Sequence, residues 1–358
     1  MQTILIKNGR VWNGEKFIFA DVLTQGEKVV KIDENIDFKA DFIYDATNKI
    51  VSCGFVDSHV HINGLSSDEF GAGALSLSFP YGVTAVCDAG SIFGDKKFLE
   101  EMKVKNVVFV GVDIKNNHAC FENSEKYLKK YGKKAIGIKV YFDKEISQVS
   151  DITALKEICC YAKSKDLKVM VHCSNSPTKM SEIIETLSKG DILTHAYHGG
   201  ENTCLDNDFH ALKLAKEKGV VIDTGFAGHV HTDFKVLKRA FEKGFFPDII
   251  SSDITKFSIA KRGGNYGLTM CMSIAKKLGM SEEKVFRAVT SFPSKALGKQ
   301  AKWGSLSVGN YADICVVDYS SKGFDLTDNA GNNIKSDSGY NCVLTICNGE
   351  IVYKGESF

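Results

Sequence analysis

A chain of 358 residues is too long for one minimal domain and long enough for a barrel-sized catalytic core with a small satellite. Its 45 basic residues against 44 acidic ones leave a formal charge of +1, which argues against nucleic acid or an anionic membrane as the main partner and leaves a small-molecule substrate. With 44% hydrophobic and 25% charged residues the composition is that of an ordinary globular protein, so extensive disorder and fibrous architecture are excluded.

From the N-terminus, Ile4 to Trp12, the turn pair Asn13-Gly14 and Phe17 to Ala20 predict a β-hairpin. From Val51 the texture changes to short β-branched runs, each followed by a longer amphipathic stretch, which is the pattern of repeated βα units. Strands are predicted at Val51–His59, Val83–Asp88, Val107–Val112, Ala135–Val140, Lys168–His172, Asp191–His195, Gly219–Asp223 and Asp248–Asp253. Helices are predicted between them, among others at Ile152–Lys165, Thr178–Lys189, Phe209–Lys218 and Phe234–Lys243. Eight such strands match a closed (β/α)8 TIM barrel, and an open doubly wound sheet is the weaker alternative because no G-x-G-x-x-G follows the first strand. Toward the C-terminus, Ala312 to Asp318 and Val343 to Cys347 predict strands, and Asn348-Gly349 predicts a type I′ turn into Ile351 to Tyr353. Both termini are therefore expected to meet in a discontinuous small β-sandwich domain, residues 1–50 and 299–358, beside a barrel of residues 51–298.

The 11 cysteines include no C-x-x-C pair, and Cys53, Cys87, Cys173 and Cys315 lie in apolar strand-like runs, so they read as reduced core thiols. Neither a signal peptide nor an apolar run of bilayer length is visible, which makes a cytoplasmic, non-membrane protein the expectation. No interface signature is legible, and assembly as a homo-oligomer stays open.

Chemistry-bearing residues gather at the predicted strand ends. His59 and His61 are two apart, so on a strand both imidazoles face one space. His172 ends the fifth strand, His195 the sixth and Asp253 the eighth, while Lys139 sits inside the end of the fourth, where an uncompensated ammonium is costly to bury. From His59 to Asp253 the average spacing is about 28 residues per βα unit, close to the ~30 expected. Singly, each has a bland reading: a satisfied core histidine, a helix N-cap for Asp253, a lysine reaching to solvent. Jointly, at the carboxyl ends where barrel enzymes build their sites, six residues suit two divalent ions, with Lys139 as an anionic bridge once carbon dioxide has carboxylated it. Ions sharing a water lower its pKa and polarise a scissile carbonyl, so a bridging hydroxide becomes available near neutrality. Asp253 is the residue expected to carry the proton to the leaving atom. Imidazole and carboxylate ligands suit zinc first, with manganese, iron or cobalt as alternatives.

With these residues in view the chain resembles the amidohydrolase superfamily, and within it the amidohydrolase/deacetylase group related to dihydroorotases. The segments that carry the resemblance are GFVDSHVHI around His59, GVTAVCDAGS from Gly82, GIKVY around Lys139, MVHC around His172, DILTHAYHG around His195, PDIISSD before Asp253 and GSLSVGNYADICVVD from Gly304. The resemblance implies that His59, His61 and Asp253 bind the more buried ion, that carboxylated Lys139 bridges, and that His172 and His195 bind the second. Cys53 and Ser291-Phe292-Pro293-Ser294 depart from the usual pattern without touching a proposed ligand.

Asn175, Tyr197 and His198, then His229 and His231, are the loop residues that could reach a substrate, with loop hydrogen bonding or a solvated side chain as the alternative for each; Arg262 could clamp a carboxylate, though a solvated loop charge is the commoner reading. Glycines beside His198 and His229 favour those two. The leading expectation is hydrolysis of an amide or ester in a small molecule, as a deacylase or deacetylase of an N-acyl or O-acyl carboxylate. The alternatives are a cyclic amide or lactone hydrolase and a scaffold protein that kept the fold without the chemistry.

Overall fold

The computed structural model describes residues 1–227, 231–261, 267–320 and 322–355. Strands from the two termini share one eight-stranded sheet, in the order Glu350–Lys354, Gly339–Cys347, Ile314–Ser320, Ile50–Cys53, Thr3–Trp12, Phe17–Gln25 and Lys28–Asp33, with Phe42–Asp45 also paired to Thr3–Trp12. The strand Thr3–Trp12 carries two neighbours along one edge, Phe42–Asp45 against Ile4 to Lys7 and Ile50–Cys53 against Arg10 to Trp12, and its register shifts between Ile6 and Gly9. The hairpin expected at Asn13-Gly14 forms, with Trp12 opposite Phe17. At Asn348-Gly349 both φ angles are positive, +52° and +77°, which is the backbone a type I′ turn requires. All the cysteines are free.

A curled, seven-stranded parallel sheet forms the rest of the frame, giving a mixed α/β fold. Its order is Val221–Ile222, Ile192–Thr194, Lys168–His172, Ala135–Tyr141, Lys105–Gly111, Val83–Ser91 and Phe55–Val60. The run expected as one strand from Val51 to His59 is two: Ile50–Cys53 joins the terminal sheet and Phe55–Val60 the parallel one. Between them Gly54 lies so close to the Thr84 side chain that a Cβ would come within 2.1 Å of its Oγ1. The eighth expected strand is present only as isolated parallel bridges, Asp223 to Ile249 and Val60 to Ile254, which touch both edges of the parallel sheet.

Helices Thr153–Ser164, Met180–Thr186, Asp206–Lys218 and Phe234–Glu242 lie in the connections where amphipathic stretches were expected. In Phe234–Glu242 the Asp233 carboxylate caps the N-terminus by accepting from Lys235 N and Val236 N, and Phe234, Leu237, Ala240 and Phe241 form its buried stripe.

The inward face of the parallel strands changes chemistry along its length. At the amino end Val56, Ala85, Cys87, Val107, Phe109, Met170 and Ile192 form an apolar cluster. Two residues further along, on the same face by the two-residue repeat, Met170 gives way to His172 and Ile192 to Thr194.

Candidate metal centre

The six residues expected at strand ends are all buried, from Lys139 at 0% exposure to Asp253 at 4%. Asp253 is drawn in by its backbone N–H, which donates to His59 O at 2.8 Å, while His61 N donates to Ile254 O at 3.1 Å. Its carboxylate Oδ1 then lies 3.2 Å from His59 Nε2 and 3.0 Å from His61 Nε2. These three residues form one group of converging donor atoms, and the Lys139 amine sits 3.2 Å from His59 Nε2. A second group brings together His172, His195 and His231, with ring centroids 4.6, 4.7 and 4.2 Å apart. His195 Nε2 is 3.9 Å from Asp253 Oδ2, so the two groups adjoin.

Oxygen partners behind the rings fix their orientation, as supporting residues do around metal ligands generally. His59 Nδ1 meets Thr194 Oγ1 at 2.9 Å, and that hydroxyl donates to Asp223 Oδ2 at 2.7 Å; Asp223 Oδ1 accepts from Ser251 Oγ at 2.7 Å. His195 Nδ1 donates to Gly225 O at 2.8 Å. Only glycine fits there, since a Cβ would lie 2.3 Å from Thr194 Oγ1 and 2.5 Å from His195 Nδ1. His172 Nε2 faces Ser174 Oγ at 2.7 Å and Asp143 Oδ2 at 3.5 Å. The ligand-bearing backbone is unusual as well: His195 and Asp253 have φ of +64° and +49°, a left-handed conformation that costs non-glycine residues about 1–3 kcal/mol and concentrates at functional sites.

Burial favours the neutral imidazole at four of these histidines. It lowers His59 to about 4 and His231 to about 3, and it also lowers His172 and His195. Burial lowers Lys139 to about 8, partly opposed by Asp253 and Asp223, which raises the share of reactive free amine. At Asp253 burial works against ionisation, but the His59 and His61 imidazoles outweigh it and hold the carboxyl below its ordinary range. The result is neutral rings at His59, His172, His195 and His231 near an ionised carboxylate, which is the donor state a divalent cation needs. Asp253 Oδ1 is buried with no hydrogen-bond donor, although two imidazole nitrogens stand about 3 Å away. That orphaned oxygen between two nitrogen ligands fits a cation.

The loop residues are placed unequally. His198 is 2% exposed; its Nδ1 accepts from Gly200 N at 3.2 Å, and its Nε2 is buried without a partner. Asn175 Nδ2 is 3.4 Å from Asp143 Oδ1, beside His172. Tyr197, expected to reach substrate, instead packs against Phe241 and donates its hydroxyl to Phe245 O at 3.2 Å. His229 and Arg262 lie outside the described residues. His231, expected as a substrate contact, joins the second imidazole group. Ser174, Thr194 and Asp223 were not expected at all; Thr194 and Asp223, each beside or ending a predicted strand, carried a positional signal.

The amidohydrolase family model matches residues 50–352, and the chain belongs to that family. It is a hydrolase. A deacetylase of Enterococcus faecalis is 28% identical over 377 aligned residues, covering 97% of this chain and 98% of the relative. Among solved structures, a dihydroorotase superposes with a TM-score of 0.87 at 23% identity over 99% of this chain and 100% of its own, and an adenine deaminase with 0.85 at 24% over the same shares. No helix among the described residues is long and apolar enough to cross a membrane.

Proposed function

We propose that this chain is a binuclear metal-dependent deacylase that removes an acyl group from an N-acyl or O-acyl carboxylate, with zinc as its metal. In this reading segment 248–254 takes the eighth position and closes a (β/α)8 barrel, supported by its bridges to both sheet edges, and the terminal strands form the separate small domain. His59, His61 and Asp253 would hold one ion, His172 and His195 the other, with carboxylated Lys139 between them. Bound divalent ions supply Lewis acidity toward a carbonyl and an activated water.

The chain's own residues do the rest. Nζ of Lys139, in its neutral form, attacks carbon dioxide: an N–C bond forms as one C=O π bond opens onto oxygen, one N–H proton leaves, and the neutral amine becomes an anionic carbamate that would suit bound cations. The Asp253 carboxylate takes a proton from water and returns it to the leaving nitrogen or oxygen. Because His198 Nδ1 accepts from Gly200, the neutral ring carries its proton on Nε2, a buried unpaired donor suited to a substrate carbonyl or carboxylate oxygen.

The observation that carries this reading is the donorless Asp253 Oδ1 between two imidazole nitrogens. The Enterococcus faecalis likeness favours acyl removal over ring opening. The test is hydrolysis of N-acyl amino acids, O-acyl hydroxy acids, cyclic imides and lactones by zinc-loaded protein. Turnover of an acyclic acyl carboxylate is expected, and Asp253→Asn should lower kcat by about 10²–10⁴-fold. Turnover confined to cyclic imides would replace the reading with a dihydroorotase-like one; no turnover and no stoichiometric metal would point to a scaffold.

A further inference from the structure

We infer that His231 is a third imidazole ligand of the second ion, so that His172, His195 and His231 retain this ion even when Lys139 cannot bridge. The inference rests on the binuclear reading above and goes beyond it, because that reading gives the second ion two imidazoles and the lysine bridge.

Three observations meet at His231. Donor atoms of the three rings converge, and the His231 ring is the one closest to His195, at 4.2 Å between centroids. One nitrogen of each ring is tied outward to an oxygen: His195 Nδ1 to Gly225 O, His172 Nε2 to Ser174 Oγ, and His231 Nδ1 to the same Ser174 Oγ at 2.9 Å. With Ser174 Oγ accepting from both His172 and His231, the other nitrogen of each ring is the donor left for a cation, which is how metal-binding histidines are ordinarily oriented. The shared serine also couples His172 to His231, so the two rings are positioned together.

The chain around His231 is held in place. Thr232 Oγ1 donates to Phe226 O at 3.1 Å, and Asp233 N donates to Tyr197 O at 3.0 Å. Asp233 approaches this closely because Gly199 has no side chain; a Cβ there would come within 2.5 Å of Asp233 Oδ2. The loop after His195 and the start of helix Phe234–Glu242 are thus locked, and His231 is carried over His195 by that lock.

Each group offers three donors, and charge is what separates the two ions. The Lys139 amine lies against His59, a ligand of the first group. Three neutral imidazoles leave one position open on a tetrahedral ion, the usual arrangement of a catalytic zinc site. The first ion would then depend on an anionic set, the second on a neutral one.

The test is zinc titration of metal-free protein at neutral pH, with stoichiometry measured against a competing chelator. Wild type is expected to hold two ions, Lys139→Ala one, and Lys139→Ala/His231→Ala none at the same chelator level. His231→Ala alone should loosen one of the two ions by about 100-fold, the upper end of what even outer supporting residues contribute. A measurement that needs no substitution guards against variants that fail to fold: in ¹⁵N-histidine-labelled wild type, zinc should shift ring nitrogens of five histidines. Four shifted histidines, a folded Lys139→Ala chain that binds no zinc, or His231→Ala binding zinc like wild type would each overturn the inference while leaving the binuclear reading standing. Wild type that takes up no zinc would remove both.

Discussion

The two ends of the parallel sheet's inward face are built from the same backbone and opposite chemistry. At the amino end Phe109, Met170 and Ile192 fill the interior with hydrocarbon; at the carboxyl end Lys139, His172 and Asp253 crowd ionisable groups into equal burial. The lower layer needs no partners and gains from every buried methylene. The upper layer is buried at a cost and leaves Asp253 Oδ1 and His198 Nε2 without protein partners. The difference teaches that the floor contributes stability and the rim contributes chemistry, and that the rim keeps its shape because the floor is packed beneath it.

Phe109 gives the sharpest way to break that division. It is fully buried and so close to Gly137 that a Cβ there would lie 2.3 Å from its ring, two residues before Lys139. Phe109→Ala should cost about 3–5 kcal/mol in urea unfolding. At temperatures where the variant remains folded it should still bind two zinc ions; loss of uptake in the folded variant would show that floor and rim are one unit.

The next largest effect concerns the rim's supports. Thr194→Val keeps shape but removes the hydroxyl that links His59 to Asp223, leaving Asp223 Oδ2 without that donor. The expected cost is about 1–3 kcal/mol of stability, together with a 10–100-fold fall in zinc affinity by chelator competition. Affinity within twofold of wild type would mean that the Thr194 contact does not orient His59.

The rim was legible in the sequence to the extent that it follows strand periodicity. His59, His172 and Asp253 end predicted strands, and an even register brings such ends together. His231 was harder to place because it belongs to no strand; its position depends on Asp233 packing against Gly199, a contact between segments distant in sequence. Thr194 and Asp223 look like ordinary strand residues, and only the hydrogen-bond chain reveals what they support. The left-handed backbone at His195 and Asp253 carried no signal, since neither is a glycine. In the frame, the split of Val51–His59 into two strands had only a faint mark, the lone Gly54 inside a strand-like run, which is as consistent with a bulge as with a break.

His198 offers the smallest and most selective test, because it is a rim residue outside both ligand groups. Burial, with a smaller contribution from His172, lowers its pKa to about 4 from an ordinary 6.5. Between those values the unfolded chain binds a proton that the folded ring refuses, so unfolding is favoured as pH falls and stability rises with pH across this window. Asn in place of His198 removes that one linkage while every other buried group titrates in both proteins and cancels in the difference. The gap between wild type and His198→Asn should therefore stay constant above about pH 7 and move in favour of the variant on acidification, by about 1 kcal/mol at pH 5.5. Urea unfolding of the metal-free proteins at several pH values reads this directly. Parallel stability curves from neutrality down to pH 5 would mean that the ring titrates alike in the folded and unfolded chain, and with that would go the assignment of a desolvated, unpaired Nε2 donor facing substrate.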